Sequence, residues 1–178
     1  MKAIHVTLAA SIIAALPSVV SAEHIQANLT GYQEVPSVST PASGTFDAQV
    51  ANDDESFSYE LTFSGLVGTV QQSHIHIAQP GVNGSIVIWL CQTATTPAPA
   101  AVAGITPMCP QSGTVTGNIS AANVIAAGTA SQQIIAGEIG EVLAAIRAGV
   151  AYVNVHATPL NPGGEIRGQV QASNKGGK

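Results

Sequence analysis

The chain has 178 residues, and only 8% of them are charged, where roughly 25% is ordinary for a globular protein. Five basic against ten acidic residues give a net charge of −5 with His neutral, which excludes the clustered Lys and Arg that neutralise nucleic-acid phosphates. An apolar fraction of 46% excludes a disordered acidic tail, and no sustained heptads support a long coiled coil.

Lys2 precedes an apolar run from Ala3 to Leu16, broken only by His5, Thr7 and Ser11. Pro17 ends the run, and Val20-Ser21-Ala22 supplies the small and apolar residues that a signal peptidase reads. Residues 1–22 are therefore expected to be a secretory signal cut after Ala22. The run is shorter than the roughly 20 residues that a membrane span needs, and no other stretch is long enough. The expected location is secreted or periplasmic, with no transmembrane segment after cleavage. Residues 23–172 would form a β-sandwich domain and 173–178 a flexible tail. Arg147, Arg167, Lys175 and Lys178 are then the basic residues that remain, so anionic lipid is no natural partner.

In chain order, His24 to Thr30 reads as a first strand, followed by a turn-rich stretch to Ser43. Gly44 to Val50 and Ser56 to Ser64 both alternate, with Phe57, Tyr59, Leu61 and Phe63 on one face of the second. The polar turn Asn52-Asp53-Asp54-Glu55 between them makes a β-hairpin. Gln71 to Ala78 is the next expected strand, and a Pro/Gly loop leads to Ser85–Cys91. There Ile86-Val87-Ile88-Trp89-Leu90 is continuously apolar, as in a strand buried on both faces. Gly113 to Ser120 is strand-like, and Ser120 to Ala136 is ambiguous. Ile139, Val142, Leu143 and Ile146 form one apolar stripe at helical spacing, which predicts a helix over Gly137 to Ala148. Val150 to Ala157 returns to strand, Thr158 to Gly164 reads as a loop, and Glu165 to Gln171 is the last strand. Some eight strands and one short helix predict an all-β, immunoglobulin-like or Greek-key β-sandwich.

Cys91 and Cys109 are the only cysteines. In an oxidising compartment they are expected to form a disulfide, since no C-x-x-C spacing suggests a thiolate metal site.

His74 and His76 lie two apart in Ser73-His74-Ile75-His76-Ile77, so a strand presents both imidazoles on one face and both isoleucines on the other. His156, in Tyr152-Val153-Asn154-Val155-His156, becomes a third ligand if its strand neighbours theirs. Three imidazoles suit copper, and zinc after it. The alternative is three polar side chains hydrogen-bonded at a sheet edge. Asn154 shares the His156 face, and Glu165 and Arg167 lie two apart on one strand. These three are candidates to support the ligands, or Glu165 and Arg167 are simply a structural charge pair. No G-x-S-x-G elbow, phosphate loop or dinucleotide fingerprint occurs, so no catalytic residue is assigned and a non-enzymatic role is favoured.

Three blocks resemble the CHRD domain, the module repeated in the extracellular protein chordin and found singly in many exported bacterial proteins. They are Leu29-Thr30-Gly31-Tyr32-Gln33-Glu34-Val35-Pro36, then Ser73-His74-Ile75-His76-Ile77-Ala78, and finally Ala151 to His156 with Pro162-Gly163-Gly164-Glu165-Ile166-Arg167-Gly168-Gln169. The resemblance covers roughly Ile25 to Val170 and implies an extracellular β-sandwich of immunoglobulin-like type, without a settled activity. A weaker likeness to copper–zinc superoxide dismutase rests on the His-x-His strand. The further histidines and the Asp of that zinc site are missing, so dismutase activity is not implied. Two functions remain: copper binding through His74, His76 and His156, or a binding or structural module for an extracytoplasmic protein or polysaccharide.

Overall fold

The computed structural model describes residues 22–173. Residues 1–21 of the expected signal and 174–178 of the expected tail lie outside the described residues. The elements are β1 (His24–Thr30), β2 (Ser43–Val50), β3 (Ser56–Ser64), β4 (Thr69–Ile77), β5 (Ser85–Cys91), α1 (Ala100–Ala103) and β6 (Gly113–Ser120). They continue with α2 (Ile139–Arg147), β7 (Ala151–Thr158), β8 (Asn161–Gln169) and β9 (Gln171–Ala172).

All these strands pair antiparallel along the path β5-β4-β7-β8-β1-β2-β3-β6, with β9 beside β1. Between β8 and β1 the contact narrows to one residue pair, Arg167 with Thr30, and the path bends there into two layers. Tyr59 of β3 donates its hydroxyl across the core to the Leu90 carbonyl of β5, at 2.5 Å. The result is an all-β sandwich whose sheet nearly closes on itself. The alternation read in β3 is realised: Phe57, Tyr59, Leu61 and Phe63 are all buried, while the residues between them are not. They meet Phe46, Ile75, Val153, Val155 and Ile166 in one core, which the helix stripe Ile139, Val142, Leu143 and Ile146 also enters.

Four expectations need adjusting. Strand β4 begins at Thr69, ahead of the expected Gln71. Strand β8 begins at Asn161, inside the stretch read as a loop. Pro162 has no N–H to offer a ladder and Gly163 and Gly164 no side chain, so the sequence reads as irregular although the hairpin continues beside a register shift in β7. The disulfide loop holds the short helix α1, packed on Trp89 through Ala98 and Val102, where Pro and Thr mask any helical period. Ser173 belongs to the fold rather than to a tail: its N–H donates to the His24 carbonyl at 2.7 Å. Among the described residues, no helix is long and apolar enough to cross a membrane.

The core position of Leu61, fully buried, sets an expectation for stability. Leu61→Ala should cost about 3 kcal/mol in urea unfolding, and Ser58→Ala, on the exposed face of the same strand, within about 0.5 kcal/mol. Equal effects at the two positions would contradict the inward assignment of the Leu61 face.

Candidate metal centre

Strand β4 carries two kinds of surface. Ile75 and Ile77 enter the core, so period two turns His74 and His76 to the opposite face. That face is solvent-exposed in many sandwiches, yet β4 is buried from Ser73 through Ile77 and β7 from Ala151 through Ala157. The covering comes from β5, the disulfide loop and the loops that follow β1 and β4.

The register between β4 and β7 sets Gln72 against His156, His74 against Asn154 and His76 against Tyr152. Strand β5 adds Trp89 beside His74, and β8 adds Arg167 beside Asn154. The three histidines therefore converge from two neighbouring strands. They are 0%, 6% and 6% exposed for His74, His76 and His156, and one ligand atom from each lies within 4.8 Å of the other two.

Hydrogen bonds fix which nitrogens face inward. His156 Nδ1 lies 2.8 Å from the Pro162 carbonyl and His76 Nδ1 lies 3.0 Å from the Gly84 carbonyl. A carbonyl only accepts, so each Nδ1 carries the proton and each Nε2 keeps a lone pair. Backbone carbonyls orient metal-binding imidazoles in this way. His74 Nδ1 sits 3.3 Å from His156 Nε2, matching the separation of about 3.3 Å between two nitrogens on one tetrahedral ion at 2.0–2.1 Å. The widest separation allowed by a shared ion is about 4.1 Å, so from a 4.8 Å spread the ligand atoms must draw in by about 0.7 Å to share one. His74 Nε2 is buried without a hydrogen-bond partner and its ring meets Trp89 edge-on, with centroids 4.3 Å apart.

Burial, the largest effect on each of the three, lowers their basicity. It holds His74 well below 6.5, helped by His156 and His76. His76 falls to about 4, opposed by its bond to Gly84. His156 is lowered too, against the pull of the Pro162 carbonyl. All three are neutral donors at neutral pH.

Around them, Asn154 Oδ1 lies 3.1 Å from His76 Nε2. Tyr152 stacks on His76 with centroids 4.5 Å apart, and the Arg167 guanidinium covers Tyr152 at 3.4 Å, a cation–π contact. Arg167 is 1% exposed and donates to Asn83 Oδ1 and to the Val82 carbonyl at 3.2 and 2.9 Å. Glu165 turns elsewhere: its Oε1 accepts from Thr40 Oγ1 at 2.6 Å and from the Val67 N–H at 2.8 Å. Glu165 and Arg167 thus share a strand but not a bond, and it is Arg167, through Tyr152, that adjoins a histidine. Cys91 and Cys109 form the expected disulfide, whose loop seats α1 against Trp89.

Sequence spacing did not single out Glu34. It follows the short 3-10 turn after β1, is 5% exposed and lies beside Asn154 and Gly164. Its only sequence signal was its place in the first CHRD-like block.

Fold and site together define an all-β sandwich with a buried three-imidazole cluster on the outer face of one layer. The family model of the CHRD domain matches residues 25–170, which include all three histidines, and the chain belongs to that family. No curated protein and no solved structure matches it.

The lowered histidines fix the sign of the pH dependence of the metal-free protein. Each unfolded histidine takes a proton below about pH 6.5 that the folded state refuses, so stability falls as the pH drops from 6.5 toward the folded values. For His76 alone, a fall from 6.5 to about 4 amounts to about 3 kcal/mol. Glu34, raised from 4.5 to about 7 by burial, acts oppositely: its contribution is present below pH 4.5 and lost as the pH rises to 7. Three histidines outweigh one acid, so urea unfolding in chelator should show stability rising from pH 5 to 6.5. A flat or falling profile would contradict three buried neutral imidazoles.

Proposed function

We propose that the protein is an exported CHRD domain that binds copper through His74, His76 and His156. The observation that carries this reading is the convergence of three buried neutral imidazoles whose ligand atoms lie within 4.8 Å of one another. The convergent nitrogens are Nδ1 of His74 and Nε2 of His76 and His156. An ion would replace the His74–His156 hydrogen bond and the Asn154 contact with His76, with the His74 proton moving to its unpartnered Nε2. Export is supported by the disulfide between Cys91 and Cys109 and by the apolar N-terminal sequence with its small-residue cleavage site.

Copper is favoured over zinc because, although imidazole binds both, first-row divalent ions rank with copper at the top. For either ion, the lowered basicity of the rings removes the proton as a competitor well into mild acid. The Gly84 and Pro162 carbonyls hold two of the rings from behind, and Trp89 and Tyr152 wall the centre with aromatic surface. Bound copper here would be sequestered from water rather than exchanged at an open surface.

Competition titration of the mature protein with cupric ion tests the assignment. His24, half-buried on β1 near Gln26 and Gln49, is replaced by Ala so that the terminus does not contribute. One ion per chain is expected, and each of His74→Ala, His76→Ala and His156→Ala should weaken binding on the order of 100-fold. Wild-type affinity in the triple variant would refute the centre. Tighter binding of zinc than of cupric ion would refute copper alone.

A further inference from the structure

The copper reading leaves one buried acid without a role. Glu34 Oε1 has no hydrogen-bond partner, and a Cβ on Gly164, where φ is +130°, would collide with the Glu34 carboxyl. Only glycine leaves room for the acid there. The Val35 N–H and the Asn154 side chain hydrogen-bond the carboxyl, and Asn154 turns its Oδ1 to His76 Nε2 at 3.1 Å. Glu34, Asn154 and His76 form one line from the first turn to a ligand nitrogen.

An amide has a donor end and an acceptor end. Because His76 Nδ1 donates to Gly84, neutral His76 offers a lone pair at Nε2 and calls for the N–H end of Asn154. The carbonyl end then faces Glu34, and only a protonated carboxyl suits it. The opposite orientation, with Oδ1 toward His76 Nε2 and the amide N–H toward Glu34, is the one the structure holds. It suits a Glu34 carboxylate but sets an oxygen against the His76 lone pair. A metal on Nε2 removes that lone pair, and the Asn154 N–H can then stay on Glu34, where it stabilises the carboxylate.

Resting on the metal reading above, we propose that Glu34 is a positioning residue of the centre. When an ion takes His76 Nε2, Glu34 keeps the Asn154 amide N–H and becomes the anion that offsets the cation. One divalent ion enters and one proton leaves from Glu34 to solvent, so the buried charge rises by one rather than two. The charged and titratable groups facing Glu34 are Arg167 from β8 and Tyr152 from β7, with His76 of β4 behind Asn154. Burial raises Glu34 to about 7 against the pull of Arg167, which leaves the carboxyl protonated at pH 6 and ready to ionise.

Calorimetric titration of the metal-free His24→Ala protein with cupric ion at pH 6, in two buffers of different ionisation enthalpy, counts the protons released. About one per ion is expected for the parent. Glu34→Gln, which keeps the shape and both hydrogen-bonding ends, should still bind, about tenfold more weakly, and release close to none. Glu34→Asp should restore release. As a second measurement, log affinity against pH from 5 to 6 should rise with a slope near one in the parent and stay flat in Glu34→Gln. Equal proton release by the parent and Glu34→Gln would overturn the role of Glu34 and leave the metal site standing. No binding by the parent would overturn both.

Discussion

The antiparallel pairing of β4 with β7 is the constraint on which the rest depends. Its register sets His74 against Asn154 and His76 against Tyr152, and the same register sends Ile75 and Val153 into the core. Because side chains alternate with period two, a slip of one residue would exchange the two sets. It would place imidazoles in the hydrocarbon core and isoleucines among the polar groups. The apolar core therefore enforces the geometry of the polar face. Neighbouring strands extend the row, with Trp89 from β5 on one side and Arg167 from β8 on the other.

A polar face of this kind would ordinarily stay in water. Here it is covered, and a covered polar group is tolerable only when hydrogen-bonded. The covering loops supply those bonds. Gly84 and Pro162 give carbonyls to two imidazoles, and Val82 and Asn83 take the Arg167 guanidinium. Asn83 also donates to the Val35 carbonyl at 3.0 Å, which ties the loop after β4 to the turn after β1. The disulfide loop contributes apolar cover over Trp89. Five buried side-chain atoms among the described residues lack a hydrogen-bond partner, Glu34 Oε1, His74 Nε2, Trp89 Nε1, Glu165 Oε2 and Gln169 Oε1, and the first three lie in or beside this cluster.

What could be read from the sequence was what local periodicity encodes. Alternation placed Phe57 to Phe63 inward, the helical stripe placed Ile139 to Ile146, and the His-x-His spacing put two imidazoles on one face. The approach of His156 was conditional, because strand adjacency is a long-range property that spacing within one strand does not carry. Pro162, Gly163 and Gly164 hid the start of β8, since residues that supply a carbonyl and a gap for Glu34 look like those of a loop. Glu34 itself stands in a turn, and no period marks a residue whose meaning lies in an asparagine on a distant strand. The continuous apolar run of β5 was legible as two-sided burial, but what covers its second face, α1 of the disulfide loop, was not.

The scarcity of charge fits this architecture. A centre of three neutral imidazoles owes its affinity to lone pairs rather than to net negative charge, and so does not attract hard cations that require carboxylate oxygens. Close anions would blunt that selectivity. Arg167, buried over Tyr152, also opposes the entry of a second positive charge in a medium where water screens little. A single acid at one remove, joined through an amide instead of ligating directly, would reconcile the two demands. In the proposed centre it would offer the ion no oxygen to bind, yet supply negative charge within the same buried layer.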